Sequence, residues 1–153
     1  KHPVGIRVPN VWCELDNDNH TDFTKNMCVL SGSDVAIIAV GPMLKMALEV
    51  AKDIKKIYQK DITVINPINV SNLDYETLDK LKENHKLIIT LEDGELQGGY
   101  GVNIASYLGA DAIKVMNFGI SKKFHTDFKA EELLAKCGMS KENLVNIIKD
   151  YLS

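Results

Sequence analysis

Residues 87–108, LIITLEDGELQGGYGVNIASYL, change character three times within 22 positions. Leu87-Ile88-Ile89-Thr90-Leu91 is a short run of branched and apolar residues, the pattern of a strand buried on both faces. Glu92-Asp93-Gly94-Glu95 interrupts it, Gly98-Gly99-Tyr100-Gly101 follows, and from Val102 the positions Val102, Ala105, Ser106 and Leu108 take helical spacing. A buried strand handing over to a helix through a glycine loop is the repeating unit of sheets covered by helices on both sides. The rest of the chain is read around that unit.

Four glycines between positions 94 and 101 need a physical reason, because a glycine costs roughly 1 kcal/mol of chain entropy wherever alanine would serve. One reason is a phosphate cradle, since free N–H groups at a helix N-terminus attract anions. Two features oppose it: GxG here lacks the third glycine of a dinucleotide fingerprint and no GK[ST] follows, and Glu92, Asp93 and Glu95 repel a phosphate brought to the same turn. The other reason is a structural turn in which Glu92 accepts backbone hydrogen bonds and Gly98, Gly99 and Gly101 let the helix approach the sheet. Glu92, Gly94, Gly98, Gly99 and Gly101 are therefore the candidate positions, as a structural turn or an anion site.

The same design recurs along the chain. Met27-Cys28-Val29-Leu30 is a short strand, and Val35–Val40 is a continuous apolar run of the central parallel type. Gly41-Pro42 ends it, and Met43, Ala47, Val50, Ile54 and Ile57 predict a helix to Tyr58 with an inward apolar stripe. Ile62–Ile65 is a strand, Asn66-Pro67-Ile68-Asn69 a turn, and Asp74 a cap for a helix with Tyr75, Leu78 and Leu81 inward. Ile113–Phe118 forms the last strand. Two helices close the chain, Ala130–Lys136 stopped by Gly138, and Lys141–Leu152 capped by Ser140. Strands alternating with helices predict a largely parallel sheet with helices on both faces.

Charge and cysteine content narrow the chemistry. Eighteen Lys and Arg against 21 Asp and Glu give a net charge of −3 with no basic run, so neither nucleic acid nor an anionic membrane is an expected partner. Cys13, Cys28 and Cys137 form no CxxC and accompany no paired His, so free thiols of a cytoplasmic protein are expected, with no disulfide framework or zinc site. Asp16, Asp18 and Asp22 lack the central glycine and terminal Glu of a calcium loop, and Trp12 is read as an anchor for a linker running from Asn10 to Thr24. His85 and His125 have no serine or cysteine nucleophile motif beside them and are read as surface histidines, so no catalytic residue is assigned. Lys1 stands where a complete chain would have methionine, and the extended Pro3–Pro9 segment has nothing before it to pair with. Both features are expected of a start inside a longer polypeptide.

Taken in order, HPVGIRVP, SDVAIIAVGPMLKMALEVA, ITVINPINVSNLD, HKLIITLEDGELQGGYG and MNFGISKKF with AEELLAKCGMSKENLVNII resemble the C-terminal domain of the thiamine-diphosphate-dependent transketolase family, in its 1-deoxy-D-xylulose-5-phosphate synthase branch. The resemblance covers the whole chain, and the acid-acid-glycine run followed by GGxG is its most specific part. It implies a three-layer α/β/α fold whose mixed five-stranded sheet has its first strand antiparallel to the rest. It implies that residues 1–25 are the end of a preceding pyrimidine-binding domain and a linker, and that 26–153 are the transketolase C-terminal domain. Thiamine diphosphate and magnesium would be held by the N-terminal and middle domains of a homodimeric enzyme, with no cofactor in this part. The role implied for the domain is assembly and packing, with a regulatory anion site as the lesser reading.

The sequence departs from the family pattern after Gly119-Ile120, where a proline and an acid are usual and Ser121-Lys122-Lys123 stand, at Thr126-Asp127-Phe128, and at Asn72-Leu73-Asp74, where Pro-Leu-Asp is more frequent. These departures mark a divergent branch and leave the substrate pair open. The alternatives are the C-terminal part of a split transketolase or of a 2-oxoacid oxidoreductase, and a stand-alone nucleotide-, coenzyme A- or anion-binding module.

Overall fold

A computed structural model of the chain describes Pro3, Asp22, residues 24–126 and residues 129–152. The Pro3–Pro9 segment apart from Pro3, Trp12, Asp16 and Asp18 lie outside the described residues, as do Asp127 and Phe128.

Five strands form one sheet in the order β1-β3-β2-β4-β5: β1 (Met27–Leu30), β2 (Asp34–Ala39), β3 (Thr63–Asn66), β4 (His85–Glu95) and β5 (Lys114–Ile120). β1 runs antiparallel to β3, whereas β3, β2, β4 and β5 are mutually parallel. The mixed sheet with a reversed first strand is thus present as expected. Register follows from the alternation of side chains along each strand. Val35, Ile37 and Ala39 of β2 and Leu87, Ile89 and Leu91 of β4 face one layer, where they meet α1 (Met43–Tyr58) and α5 (Lys141–Ile148). Ala36, Ile38 and Ile88 face the other, against α2 (Tyr75–Asn84) and α3 (Tyr100–Leu108). Because both faces are covered, β2 alternates between two cores and carries no polar residue from Val35 to Ala39, all of them fully buried. A short α4 (Ala130–Lys136) precedes α5, and a 3-10 turn at Lys149–Tyr151 ends the described chain where the sequence predicted helix to Leu152.

Four expectations shift. β4 does not stop at Leu91: it continues through the acidic residues to Glu95, which pairs with Ile120 beyond a bulge. Pairing with β5, itself running on through Gly119, overrides the turn-like composition of Glu-Asp-Gly-Glu. α3 begins at Tyr100 rather than Val102, and its buried residues are Tyr100, Gly101, Ile104 and Leu108, leaving Val102 38% exposed. On α2, Leu78 and Leu81 are buried as predicted but Tyr75 is 54% exposed, its ring against Tyr107. Ile57 is 59% exposed, because the last turn of α1 runs past the core that holds Met43, Ala47, Val50 and Ile54. No helix among the described residues is long and apolar enough to cross a membrane.

Candidate functional site

The carboxyl edge of the sheet is organised by Glu92. One residue past Leu91, which pairs with Ala39 at the end of β2, its side chain turns inward and is 8% exposed. A carboxylate so buried needs hydrogen bonds, and it finds them at the start of α3: Tyr100 N donates to Oε2 and Gly101 N to Oε1, each at 2.8 Å. Both donors belong to the helix turn that has no intrahelical acceptor, and the positive end of the helix dipole favours the charge. Gly99, the residue before α3, offers no side-chain cap, so the glutamate supplies it from eight positions upstream.

The glycines divide into those that admit this carboxylate and those that do not touch it. A Cβ on Gly99 would lie 2.8 and 2.9 Å from the Glu92 oxygens and 2.9 Å from Glu95 O. A Cβ on Gly101 would lie 2.1 Å from Thr90 Oγ1 and 2.8 Å from Asn117 Oδ1. Thr90 is fully buried on β4 and donates to Asn117 Oδ1 of β5 at 2.8 Å, so α3 rests directly on a polar pair that ties two strands. Gly98 takes φ +79°, a left-handed turn residue. Gly94 stands apart in β4 with nothing within 4 Å of a built Cβ. The structure therefore brings Glu92, Gly99 and Gly101 into contact, places Gly98 in the connecting turn, and leaves Gly94 outside. The Tyr100 and Gly101 N–H groups that an anion would use are already bonded to Glu92.

Lys122 Nζ lies 3.2 Å from Glu95, and a shallow depression of about 490 Å³ runs between Asp93–Glu95 and Ile120–Phe124. Among the described residues no three His, Cys, Asp or Glu side chains converge as a metal site would require. Asp22, the described member of the acidic loop, accepts from Thr24 N at 2.9 Å.

Asp74 is the second buried carboxylate, 5% exposed, and it caps α2 as its sequence position predicts. It accepts from Thr77 N at 3.2 Å, Thr77 Oγ1 at 2.7 Å and Asn26 N at 2.8 Å, so the cap also fastens the chain just before β1. Burial works to raise its pKa, but those hydrogen bonds and Lys25 outweigh it and hold the carboxyl below its ordinary value. The Asn26 contact spans 48 residues and has no local signal.

Neither histidine forms a catalytic pair. His85 is half-buried rather than a surface residue. Its Nδ1 lies 3.1 Å from Leu81 O, which can only accept, so Nδ1 carries the proton and Nε2 receives the Thr63 hydroxyl at 2.8 Å. Burial pushes its pKa down. His125 Nε2 lies 2.9 Å from Ser121 O and 3.4 Å from Ser121 Oγ. Because the carbonyl takes the Nε2 proton, that nitrogen has no lone pair with which to activate the serine.

A family model described as the transketolase C-terminal domain matches residues 26–144. The 1-deoxy-D-xylulose-5-phosphate synthase of Carboxydothermus hydrogenoformans is 32% identical over 99% of this chain and 25% of its own length. That of Alkaliphilus oremlandii is 30% identical over the same shares. The chain thus spans about a quarter of these curated relatives. Among solved structures, the inactive beta4 tetramer of a split-gene transketolase superposes with a TM-score of 0.78, at 24% identity over 90% of this chain and 45% of that one. A transketolase variant from Pichia stipitis gives a TM-score of 0.55 at 12% identity, over 82% of this chain and 18% of that one.

Proposed function

The chain belongs to the transketolase C-terminal-domain family, and from that premise we propose that it is the third domain of a thiamine-diphosphate-dependent ketol-transferring enzyme of the 1-deoxy-D-xylulose-5-phosphate synthase type. The observation that carries this reading is the end-to-end similarity to such synthases, at 30 and 32% identity over 99% of the chain. The whole enzyme would join glyceraldehyde 3-phosphate to the two carbons left when pyruvate loses carbon dioxide. Residues 1–25 are, in this reading, the end of a pyrimidine-binding domain and its linker, and 26–153 the C-terminal domain of a cytoplasmic homodimer.

The strand-end turn does not suit a diphosphate. The strand-end turn presents Glu92, Asp93 and Glu95, its cation Lys122 is paired with Glu95, and the α3 N–H groups are bonded to Glu92. The coenzyme therefore belongs, in our reading, to the preceding domains, and this one serves their assembly through a rigid sheet edge that Glu92 and Asp74 hold in place. A second reading, a separately encoded subunit, draws on the split-gene transketolase similarity.

The test is to read the coding sequence upstream of the Lys1 codon and to assay the encoded polypeptide with pyruvate, glyceraldehyde 3-phosphate, thiamine diphosphate and magnesium. An open frame encoding Gly-Asp-Gly and a downstream Asn, with 1-deoxy-D-xylulose 5-phosphate as product, is the expected result. Ketol transfer from a sugar phosphate without turnover of pyruvate overturns the synthase assignment and leaves the family in place. A start codon directly upstream selects the separate subunit.

A further inference from the structure

On the α2–α3 side of the sheet an open cleft of about 390 Å³ separates the loop before α2 from the outer surface of α3, within the size range of small-molecule sites. Its lining holds no charged side chain. The walls are fixed by their own contacts. Ser71 N donates to Asn69 Oδ1 at 2.8 Å, which sets the loop, and Asp74 caps the helix behind it. Tyr75 and Tyr107 meet edge to face with centroids 4.8 Å apart, the Tyr107 hydroxyl donates to Asp79 at 2.8 Å, and Lys82 lies 5.4 Å from the Tyr107 centroid.

Against those rings stand polar side chains open to solvent. The side chains of Asn72, Asn103 and Ser106 line the cleft and make no hydrogen bond among the described residues. Tyr100, another lining residue, is only 5% exposed, and its hydroxyl is turned to Asn26. The nearby cation Lys82 is engaged by Asp79 at 2.8 Å and Asp111 at 3.4 Å, so an anion finds no free positive charge, and a cation finds no carboxylate in the lining. Amides and hydroxyls facing aromatic rings suit a neutral molecule with several hydroxyl groups and an apolar C–H face.

From this we infer that the cleft between the 70–75 loop and α3 binds an uncharged polyhydroxylated ligand, a sugar or polyol, gripped by Asn72, Asn103 and Ser106 against the Tyr75–Tyr107 wall. Its test needs no activity of the whole enzyme.

The 15N-labelled 153-residue chain is titrated with D-glucose, with myo-inositol and with glucose 6-phosphate, following backbone amide shifts. Saturable shifts confined to Ser71–Tyr75 and Asn103–Tyr107, at dissociation constants on the order of millimolar, are expected for a neutral probe. Glucose 6-phosphate should bind more weakly. Ser106→Arg, at an exposed position, should abolish the shifts while the remaining spectrum stays unchanged. Asn103→Ala should weaken binding about 5-fold, the loss of one hydrogen bond. Shifts that are absent with both neutral probes, that fall elsewhere, or that survive Ser106→Arg overturn the site. Tighter binding of the phosphate than of glucose overturns the ligand class.

Discussion

Substituting Gly101 by alanine isolates the close approach of α3 to the sheet. The added Cβ would sit 2.1 Å from Thr90 Oγ1, 2.9 Å from Thr90 Cβ and 2.8 Å from Asn117 Oδ1. Thr90 is fully buried on β4, so it cannot swing into solvent, and any rotation that clears the methyl breaks its 2.8 Å bond to Asn117. Overpacking a core costs about 1–3 kcal/mol, and loss of the internal hydrogen bond adds about 1 kcal/mol. Alanine returns about 1 kcal/mol of helix propensity at a position inside α3. The net is a destabilisation of about 1–3 kcal/mol, or a Tm lower by about 2–12 °C for a domain of this size. Urea unfolding of the 153-residue chain measures it, with Gly94→Ala as the control, because nothing lies within 4 Å of a Cβ there. Thr90→Ala combined with Gly101→Ala should cost less than the sum of the two single changes, since the hydroxyl is the first atom the methyl meets. A Gly101→Ala protein within 0.5 kcal/mol of Gly94→Ala would refute the packing argument, about the scatter of neutral surface changes.

Gly99→Val should lower Tm as well, because its side chain enters the space of both Glu92 oxygens and of Glu95 O; an unchanged melting point removes the close contact as the reason for that glycine. Glu92→Ala should cost about 2–4 kcal/mol by leaving two buried N–H groups unpaired, and formate should restore more stability to this variant than to the parent, whereas equal response in a thermal scan would show that the two N–H groups do not bind carboxylate. His85 predicts a pH dependence. The unfolded imidazole titrates near 6.5 and the folded one lower, so the unfolded chain binds the extra proton in between. Its contribution is complete above about pH 6.5 and is lost as pH falls through the lowered folded value. The urea midpoint of the parent should therefore drop more between pH 7.5 and 5.5 than that of His85→Gln, and parallel profiles would remove His85 as the source.

What the sequence made legible follows a physical division between local and distant causes. The β2 run, the α1 stripe through Ile54 and the Asp74 cap are each set within a few residues of themselves, and each stands where periodicity and capping rules put it. The cluster of glycines near an acid was legible as an unusual turn, and Glu92 as its acceptor. Hidden were features whose cause lies elsewhere in the chain. The extension of β4 to Glu95 depends on β5, the exposure of Tyr75 on a ring 32 positions later, and the start of α3 on a side chain eight positions earlier. His85 looked like a surface residue because Thr63 and Leu81, which enclose it, are brought to it by β3 and α2.

The placement of Glu92 bears on how an anion would meet this edge of the sheet. In doubly wound sheets ligands lie beyond the carboxyl ends of the strands where the winding reverses, and an adjacent helix N-terminus supplies the positive end for anions. In this chain the reversal falls at β2, flanked by β3 and β4, with α1 packed on one face and α2 and α3 on the other. Leu91 O there accepts from Val40 N at 2.9 Å, and the next residue is Glu92, already bonded to the α3 N-terminus. A carboxylate tethered to the strand holds that position without the translational entropy loss that a free anion suffers on binding. Displacing it would bring a second anion beside Asp93 and Glu95. The local arrangement that elsewhere recruits phosphate thus serves here to lock α3 onto β4.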